Sequence, residues 1–583
     1  MFSLSRLSRT SIRINFSRIP FYAQSTSFSI IHRAMATEFK LKGISSLNLR
    51  NGEKQEVEVE GVEGGKVLLI KVGSKVHATS ANCTHYGAPL KNGVVDGNGR
   101  ITCPWHGACF NVTTGDVEDA PALDPLAKFE ILEKNGAVYI KGEESVIKAN
   151  RRKLSIKCSA KGSEKVVIVG GGSGAVGVTE ALREDGFTGS VTVISSEGFL
   201  PYDRTKLSKA LLADISKLAW RSDQFYKDAS IDIVEDEVTS VDFGNKSVKT
   251  KSGSSIGYTK LVLATGGTPR WLPLPGLKGD LKNVFVLRSI PDVKGILGAA
   301  GEEGGKKVVV VGSSFIGMEV ANALAGKKHQ VSIIGMEDEP MERVMGKQVG
   351  KVFRGLVEKA GVKFYMGASV DKATPSKSDS SKVGAVLLKD GTELEADLVI
   401  EGVGVGPATT YLKDNKGVEL LKDGSLTVDE TFAVQGLKDV FAIGDIATYP
   451  YHGPGGDAKP VRIEHWNVAQ NAGRSVAQVI INPAAKPKAF IPVFWSAMGQ
   501  QLRYAGNTMN GYDDVVVKGD LEKPSFVAYY TKADLVVAVA SMGKDPVVMQ
   551  VAELMRRGRM VGKSEIEKGV DPLSIDVPKE IKI

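Results

Sequence analysis

Cysteine is scarce in this chain, with only four in 583 residues. So few thiols cannot build a disulfide framework, which excludes the class of small secreted domains that disulfides hold together. Apolar runs are also short. None reaches the roughly 18 residues that a membrane-spanning helix needs, so no transmembrane segment is expected. A chain of this length does not fold around a single hydrophobic core, so about three to five domains are expected.

Acidic residues are absent from the first 37 positions, where the first carboxylate comes only at Glu38. This stretch instead holds eight serines and five arginines. An arginine-rich, serine-rich and acid-free start is typical of a mitochondrial transit segment, and a disordered basic tail is the alternative. We therefore predict a transit segment over residues 1–37 and a mitochondrial protein. Met35, where the compositional bias ends, would allow an untargeted cytoplasmic form.

Excess charge is small outside this segment. The formal net charge is +8, and five of those charges are the segment's arginines. The remaining excess is too small, on a body of this size, to indicate binding to nucleic acid, and none is expected as a partner.

Two of the four cysteines stand close to histidines in two short motifs, Cys83-x-His85 and Cys103-x-x-His106. A structural zinc finger usually pairs like ligands on one element, whereas here each motif carries one thiolate and one imidazole. The arrangement resembles the Rieske motif, in which two cysteines hold one iron of a [2Fe–2S] cluster and two histidines hold the other. Short alternating strands surround the motifs, so residues 38–144 are predicted to form a small all-β Rieske domain.

The resemblance to Rieske domains also carries an expectation for the reduction potential. Respiratory-complex members have an additional cysteine in each loop, where this chain has Ala88 and Trp105. They also place a serine and a tyrosine to hydrogen-bond the cluster, where this chain has Ala108 and Phe110. Fewer hydrogen bonds to the sulfurs imply a potential at the low end of the Rieske range, roughly −150 mV.

A basic, weakly apolar stretch over residues 145–163 is predicted to be a linker that lets the first domain swing. The sequence then changes to an apolar strand, a glycine turn and an amphipathic helix. Gly170, Gly172 and Ala175 fit the G-x-G-x-x-G/A pattern, which places a pyrophosphate at a helix N-terminus. Glu197, after the next strand, occupies the usual position of a ribose-binding acid.

Two later segments complete a set that flavoproteins with two dinucleotide-binding domains share. One is "KLVLATGGTPR", which contains Thr265 and Gly266, and the other is "LKDVFAIGDIATYP", which contains Asp445. Together they predict that FAD binds to a domain made of residues 164–300 and 431–486.

A second strand–turn–helix pattern begins with "KKVVVVGSSFIGMEV" and predicts an NAD(P)H-binding domain over residues 301–430. Its glycines are Gly312 and Gly317, but the middle glycine is replaced by Ser314, which would weaken coenzyme binding. The ribose-binding acid is replaced by Gly335, with Glu337 or Glu339 as substitutes. NADH is favoured slightly over NADPH because no arginine is ready for a 2′-phosphate, and loss of the coenzyme site is the alternative.

Several further segments carry a family resemblance: "LPYDRTKLSK", "IGME", "VGPAT", "EHWNVAQNAG" and "FWSAMGQQLRYAG". Together they resemble the ferredoxin-reductase and apoptosis-inducing-factor class of flavoproteins, in its Rieske-bearing subgroup similar to apoptosis-inducing factor 3. The resemblance implies a multidomain fold. A small all-β Rieske domain is followed by two doubly wound α/β dinucleotide-binding domains and an α+β cap or interface domain over residues 487–583.

The same resemblance implies roles for individual residues. Arg204 and Lys209 would lie along the flavin, and Glu319 would pair with Lys209 near flavin N5, although a solvent-facing glutamate is the alternative. Glu464 and His465 would lie beside the nicotinamide or the isoalloxazine. The region lacks the C-x₄-C pair of disulfide reductases, so no thiol relay is expected.

The activity implied is an NAD(P)H-dependent FAD oxidoreductase that passes single electrons to its own cluster and on to an unidentified one-electron acceptor protein. A homodimer is a candidate assembly. A redox-sensing or apoptosis-related flavoprotein that acts by binding a partner is the alternative function, and the departures at Ser314 and Gly335 are its support. A scaffold with vestigial sites would not need four intact cluster ligands.

Overall fold

The computed structural model describes residues 37–579, apart from 155, 487 and 489. The predicted transit segment therefore lies outside the described residues, except for Thr37. Among the helices of the described part, none is long and apolar enough to cross a membrane.

The first domain is all-β, as expected, and consists of a six-stranded and a four-stranded antiparallel sheet. The third strand, "KVLLIKV", is an unbroken apolar run because both of its faces are buried. Val67 and Leu69 pack into one core, and Leu68 and Ile70 into the other. The strands are β1 Thr37–Lys40, β2 Lys54–Glu58, β3 Lys66–Val72, β4 Lys75–Ser80, β5 Val94–Val95, β6 Arg100–Thr102, β7 Cys109–Asn111, β8 Val117–Asp119, β9 Lys128–Lys134 and β10 Ala137–Gly142.

The predicted linker is partly ordered: helix α1 (Glu144–Ala149) occupies its start. Next comes a five-stranded parallel sheet in the order β13-β12-β11-β17-β29, with the glycine turn directly after β11. The elements of this first part are β11 Lys165–Val169, α2 Ser173–Glu184, β12 Ser190–Ser195, α3 Thr205–Lys209, α4 Ile215–Leu218, α5 Asp223–Asp228, β13 Ile231–Glu235, β14 Val238–Asp242, β15 Ser247–Thr250, β16 Ser255–Gly257, β17 Lys260–Leu263 and β18 Gly267–Pro269.

A second parallel sheet has the order β19-β26-β20-β21-β22. Its edge strand β19 lies before residue 301, so the predicted start of this domain is wrong. The glycine motif marks only the central strand, and the edge strand precedes it. The elements are β19 Val284–Val286, α6 Ile290–Ala300, β20 Lys307–Val311, α7 Phe315–Gly326, β21 Gln330–Ile334, α8 Glu342–Lys359, β22 Lys363–Tyr365, β23 Val370–Pro375, β24 Val383–Leu388, β25 Glu393–Glu395, β26 Leu398–Glu401 and β27 Val405–Pro407.

The chain then returns to the first parallel sheet. Helix α9 packs closely on α2 through two glycines: a Cβ on Gly177 would lie 2.1 Å from the Gln470 carbonyl oxygen, and one on Gly473 would lie 2.4 Å from the Gly174 carbonyl oxygen. The elements of this part are β28 Leu426–Thr427, β29 Val440–Ala442, β30 Ala447–Tyr451, β31 Lys459–Val461 and α9 Trp466–Ile481.

The C-terminal domain is α+β, with a five-stranded antiparallel sheet in the order β32-β33-β36-β35-β34. Helix α10 packs against β33 and β36. The elements are β32 Val493–Met498, β33 Gln500–Gly506, β34 Asp514–Asp520, β35 Ser525–Lys532, β36 Leu535–Met542, α10 Val547–Arg556 and α11 Lys563–Glu567.

The first domain is docked on the rest of the chain rather than free to swing. Asp96 forms an ion pair with Arg557, and both side chains are almost completely buried. Thr102 Oγ1 donates to Glu553 Oε1 at 3.0 Å, and on the other side Arg221 Nη1 donates to Asp124 Oδ1 at 2.6 Å. Undocking would break all three contacts at once, although Arg557 keeps Glu553 and Arg221 keeps Glu180 as partners. The structure therefore does not favour the swinging motion predicted from the linker. That prediction used the composition of residues 145–163, and composition cannot reveal the contacts that hold a domain in place.

Candidate redox site

The two Cys/His loops share one backbone geometry. The N–H groups of Cys83 and Cys103 each donate to the carbonyl oxygen five residues on, both at 2.8 Å. Gly87 and Gly107 adopt φ values of 78° and 73°, in the left-handed region that favours glycine. The matched turns bring the tips of both loops together.

The four predicted ligands meet as one thiol pair and one imidazole pair. Cys83 and Cys103 are buried and lie within hydrogen-bonding range of each other. His85 Nδ1 lies 3.2 Å from His106 Nδ1, and the buried Nε2 of His106 has no hydrogen-bond partner in the described part of the chain. Like ligands arranged in pairs fit a two-iron cluster with one iron to each pair, so the donor set favours a Rieske cluster over zinc.

The surroundings favour the protonation states that such a cluster needs in three of the four predicted ligands, whereas burial and the neighbouring Cys103 raise the pKa of Cys83. Burial, together with nearby Lys206, lowers the pKa of His85 to about 4, which leaves a neutral imidazole able to bind metal. Burial alone would raise the pKa of Cys103. A hydrogen bond from Cys83 and the backbone N–H groups of Trp105 and His106 outweigh burial and lower that pKa, which favours the thiolate.

The predicted FAD-binding residues lie at one edge of the first parallel sheet. Gly170 follows β11, Glu197 follows β12, Thr265 and Gly266 follow β17, and Asp445 follows β29. These are carboxyl ends of parallel strands, where ligands bind in doubly wound sheets. Their position fits a dinucleotide at this edge.

The glycine motif leaves the space that a pyrophosphate needs. Gly170 has φ 111°, and a Cβ there would lie 2.3 Å from the Ala264 carbonyl oxygen, so only glycine fits. A Cβ on Gly172 would meet nothing within 4 Å, which leaves the start of α2 open to a ligand. Ala175 is buried against the sheet.

Two ion pairs order the polar groups around this edge. Glu197 pairs with Arg204 and accepts a hydrogen bond from Tyr202 Oη at 2.7 Å. Burial alone would raise the pKa of Glu197, but Arg204 outweighs it and the pKa is lowered, so both groups are charged. Asp445 Oδ2 accepts from Arg288 Nη2 at 3.0 Å.

The second dinucleotide site keeps the first and third glycines of the motif and has Ser314 at the middle position. Gly312 has φ 112°, and a Cβ there would lie 2.4 Å from the Gly402 carbonyl oxygen. A Cβ on Gly317 would lie 2.0 Å from the Gly312 carbonyl oxygen, so α7 starts close to the strand. Ser314 has an extended backbone, with φ −91°, like Gly172, with φ −88°. A serine therefore fits without backbone strain, and its effect on coenzyme affinity stays a prediction.

The missing ribose-binding acid has a steric reason. A Cβ on Gly335 would lie 2.5 Å from Ser313 Oγ and 2.8 Å from Met366 Cε. Of the two substitutes suggested, Glu337 pairs with Arg343 at 2.9 Å, and Glu339 lies 3.7 Å from Arg354. A role for either in binding the coenzyme ribose stays a prediction.

The predicted contact between Lys209 and Glu319 is present, with Nζ 3.0 Å from Oε1. Glu319 is 3% exposed, so the alternative of a solvent-facing glutamate is wrong. Its carboxylate also accepts hydrogen bonds from Ser208 Oγ at 2.5 Å and Ser496 Oγ at 2.6 Å. The pair is therefore held by both dinucleotide-binding domains and by the C-terminal domain.

Strand β32 connects this ion pair to the Rieske loops. The Trp495 ring lies 4.7 Å from the His106 ring, between centroids, and Lys209 Nζ lies 5.1 Å from the Trp495 ring centroid. Asn467 Nδ2 donates to the backbone oxygens of both His106 and Val493, at 3.4 Å each. A continuous set of contacts thus joins a predicted cluster ligand to the predicted flavin-side lysine.

The remaining predicted residues have different surroundings. Burial, with Lys209 nearby, lowers the pKa of His465 to about 3, so this imidazole is neutral at physiological pH. Its ring centroid lies 5.8 Å from that of Phe494. Glu464 Oε1 accepts from Arg462 Nη1 at 2.6 Å and is not in contact with the Lys209–Glu319 pair.

Sequence reasoning missed four residues of this site: Arg288, Ser208, Ser496 and Trp495. The last two lie in "FWSAMGQ", which carried the family resemblance but no assigned role. Arg288 stands in no motif, and its pairing with Asp445 spans 157 positions. No local signal in the sequence could have found that contact.

Comparisons with known proteins agree with this architecture. The family profile described as "Rieske [2Fe-2S] domain" matches residues 40–130. "Pyridine nucleotide-disulphide oxidoreductase" matches residues 164–473, and "Reductase C-terminal" matches residues 493–573.

Full-length relatives and solved structures are consistent with these matches. The chain is 40% identical over 528 residues to "Apoptosis-inducing factor 3" of Mus musculus, covering 89% of this chain and 84% of that protein. It is 31% identical to putidaredoxin reductase of Pseudomonas putida, covering 66% of this chain and 89% of that protein. The crystal structure of the covalent putidaredoxin reductase–putidaredoxin complex superposes with a TM-score of 0.63 at 29% identity, covering 68% of this chain and 93% of that one.

The expected cofactors, FAD and a Rieske cluster with NAD(P)H as co-substrate, are those of these families. The residues described above fit them. The chain therefore belongs to the pyridine nucleotide-disulphide oxidoreductase family, as an FAD-dependent NAD(P)H oxidoreductase that carries a Rieske domain and is similar to proteins named apoptosis-inducing factor 3.

Proposed function

We propose that this protein oxidises NAD(P)H at FAD, passes electrons one at a time to its own Rieske cluster, and delivers them to an external one-electron acceptor. The observation that carries the proposal is the set of contacts from His106 through the Trp495 ring to Lys209. A reductase that passed electrons only to a separate ferredoxin would need no cluster of its own. It would then have no reason to pack a cluster ligand such as His106 against Trp495, the residue beside Lys209.

The cofactors supply hydride acceptance and one-electron storage, and the chain supplies position and charge. Glu319 accepts hydrogen bonds from Ser208 and Ser496 and pairs with Lys209, whose side chain is 18% exposed, so the lysine is held at one place. His465 is held neutral by burial and adds no charge to the site. The Trp495 ring lies between Lys209 and His106 and excludes water there. The region between the flavin site and the cluster site therefore has a low dielectric constant.

The direction of electron flow is supported by the surroundings of the cluster loops. Ala108 and Phe110 are completely buried and offer no hydroxyl group to the sulfurs. A cluster with few such hydrogen bonds has a potential at the low end of its range. Such a cluster donates readily to an outside acceptor.

The test is an anaerobic titration of the purified protein with NADH and, separately, NADPH, following flavin absorbance and the electron paramagnetic resonance signal of the reduced cluster. Flavin bleaching followed by a Rieske signal is expected, and Trp495→Leu should lengthen the interval between the two. A cluster that stays oxidised while the flavin is reduced would overturn the intramolecular transfer.

A second candidate function is redox sensing through partner binding. It is favoured by Ser314 and by Gly335, whose neighbours leave no room for the usual acid. Slow reduction of the flavin by both coenzymes, together with a change in oligomeric state on reduction, would support redox sensing over catalytic electron transfer.

We also propose a mitochondrial protein with a cytoplasmic form that starts at Met35, on the basis of the composition of residues 1–37. A fluorescent protein fused to residues 1–37 should enter mitochondria, and the chain that starts at Met35 should stay outside. Cytoplasmic fluorescence from both would overturn the proposal.

A further inference from the structure

The two histidines of the Rieske loops face different surroundings. His106 is 4% exposed, and its ring contacts Trp495 on the side of Lys209. The His85 ring is stacked instead on Tyr86, with centroids 3.9 Å apart and an interplanar angle of 11°. The His85 ring also lies 5.9 Å from the Trp466 ring, and the Tyr86 ring lies 5.4 Å from the His106 ring. Trp495 thus contacts His106 on the side of Lys209, whereas Tyr86 contacts both imidazoles and is stacked on His85.

Tyr86 extends from the half-buried His85 to the surface. It is 37% exposed, and its hydroxyl donates to the carboxylate of Asp203 in the flavin-binding domain. Lys206 Nζ lies 5.6 Å from the Tyr86 ring centroid, and the Lys206 side chain is 35% exposed. The stacked ring thus joins a cluster ligand to solvent while the domains stay docked.

Because the Rieske domain is docked, the exposed Tyr86 ring bears on how electrons can leave the cluster. The buried ion pairs that hold the Rieske domain in place oppose its release, and an acceptor protein cannot reach His106 through the interface. An electron that enters on the His106 side needs another way out. Tyr86 offers one in direct contact with His85.

We propose that electrons leave through His85 and Tyr86, to a one-electron acceptor that docks on the surface formed by Tyr86 and Lys206. This inference rests on the proposed function. In the step, one electron passes from the reduced cluster to the acceptor, and no bond is formed or broken. The tyrosine ring serves as a contact and is not itself oxidised.

The charge near the ring indicates the kind of partner. Lys206 Nζ lies 3.5 Å from the backbone oxygen of Lys217, whose own side chain is 68% exposed. Lys206 also lies 3.7 Å from Asp203, whose side chain is 6% exposed, and Lys217 lies 3.8 Å from the partly exposed Asp214. The Lys206 ammonium over the exposed ring is therefore the charge that a partner meets there, and it favours a protein with an acidic face around its redox centre.

The first test uses two oxidants of opposite charge, the ferricyanide anion and the cationic protein cytochrome c. The cluster is reduced with one equivalent of NADH, and its reoxidation is followed by absorbance and paramagnetic resonance. Lys206→Glu should slow reoxidation by ferricyanide and speed reoxidation by cytochrome c, each by about threefold to tenfold at low salt. Lys351→Glu, at an exposed site on α8, is the matched charge control.

Opposite shifts confined to Lys206→Glu would support the exit surface. Equal effects of the two variants, no effect, or shifts of one sign for both oxidants would overturn it. A cluster that NADH never reduces, in the unaltered chain, would mean instead that the proposed function has failed.

A second test targets the ring and does not depend on charge. Tyr86→Leu should slow cluster reoxidation several-fold, whereas Tyr86→Phe keeps the stacked ring and should stay close to the unaltered chain. Similar rates in all three would overturn the proposal, as would an equal loss in both variants, which would assign the effect to the Asp203 hydrogen bond.

A third test needs no electron flow. Carbodiimide cross-linking to an acidic plant-type ferredoxin should join that protein to Lys206 or Lys217, as mapped by mass spectrometry. Lys206→Glu should reduce the yield, and Lys351→Glu should not. Cross-links that map elsewhere, with none at these two lysines, would contradict the docking surface.

Discussion

At the scale of single residues, the Glu319 carboxylate is the most constrained charge near the flavin site. Lys209 and two serines all donate to it. Glu319→Gln leaves the lysine without its counter-charge in buried surroundings, so we expect flavin reduction by NADH to slow by about tenfold, the effect of about 1.4 kcal/mol on the barrier. Stopped-flow absorbance measures this rate.

Ser496→Ala removes one donor and keeps the charge. We expect it to slow flavin reduction less than Glu319→Gln does, because one hydrogen bond to a charged group is lost rather than an ion pair. An unchanged rate in both variants would show that the Lys209–Glu319 pair has no part in the reduction step.

Glu401 gives a prediction about pH. It is 3% exposed at the end of β26, accepts from the Leu272 N–H at 2.7 Å, and its other oxygen has no partner among the residues described. Burial raises the pKa of Glu401 to about 7. Between its ordinary pKa and about 7 the unfolded chain releases this proton and the folded chain keeps it, so stability falls as pH rises, by about 3 kcal/mol in total.

Thermal unfolding at pH 5 and pH 8 measures this loss. Glu401→Gln cannot titrate, so its decline in stability between the two pH values should be smaller than that of the unaltered chain. Glu303→Gln, at an exposed position, is the control and should retain the full decline. Equal declines in both variants would show that Glu401 does not cause the effect.

At the scale of elements, the contact between α2 and α9 depends on glycine. Gly177→Ala would place a Cβ 2.1 Å from a backbone oxygen of α9, so the two helices must separate. We expect a loss of about 1–3 kcal/mol in the free energy of unfolding, with weaker retention of FAD, because α2 starts at the pyrophosphate turn. Thermal unfolding, monitored by flavin fluorescence, measures both the loss of stability and the release of FAD.

Gly298→Ala is the matched control. A Cβ there would meet nothing within 4 Å, and the residue lies inside α6, where alanine is the better helix former. We expect a gain of about 0.5–1 kcal/mol. A Gly177→Ala variant as stable as this one would show that the helices can adjust without cost.

At the scale of the whole molecule, Arg557 holds the Rieske domain against the C-terminal domain. Arg557 is completely buried, pairs with Asp96 and Glu553, and donates to the Pro578 carbonyl oxygen at 2.6 Å. Arg557→Gln leaves the buried Asp96 without its ion-pair partner and removes one of the cations around Glu553, which keeps Arg556 and Arg100 nearby, at a cost of about 3–5 kcal/mol. We expect the domain to undock, with faster proteolysis within residues 150–163 and slower reduction of the cluster.

Lys251→Gln is the control for this variant, because it breaks an exposed ion pair with Glu237 that solvent screens. Small-angle scattering should show a larger radius for Arg557→Gln only. Unchanged dimensions and an unchanged rate of cluster reduction would mean that other contacts hold the domain in place.

Much of the site was predictable from short stretches of sequence. The cluster ligands and the glycine turns depend on local chemistry: a thiolate beside an imidazole, or a backbone that only glycine can adopt at Gly170 and Gly312. The family resemblance supplied the Lys209–Glu319 contact. The predicted domain start at residue 301 failed because the edge strand β19 carries no motif.

The sequence by itself determined which groups can bind iron and dinucleotides, because those abilities belong to residue types at short spacing. Only the tertiary structure showed that Trp495 contacts His106, that Asp96 pairs with Arg557 across 461 positions, and that Tyr86 leads from His85 to solvent. Such contacts depend on how separate domains pack. No residue carries a local signal of its partner several hundred positions away, and burial then decides whether that contact is a weak surface pair or a strong restraint.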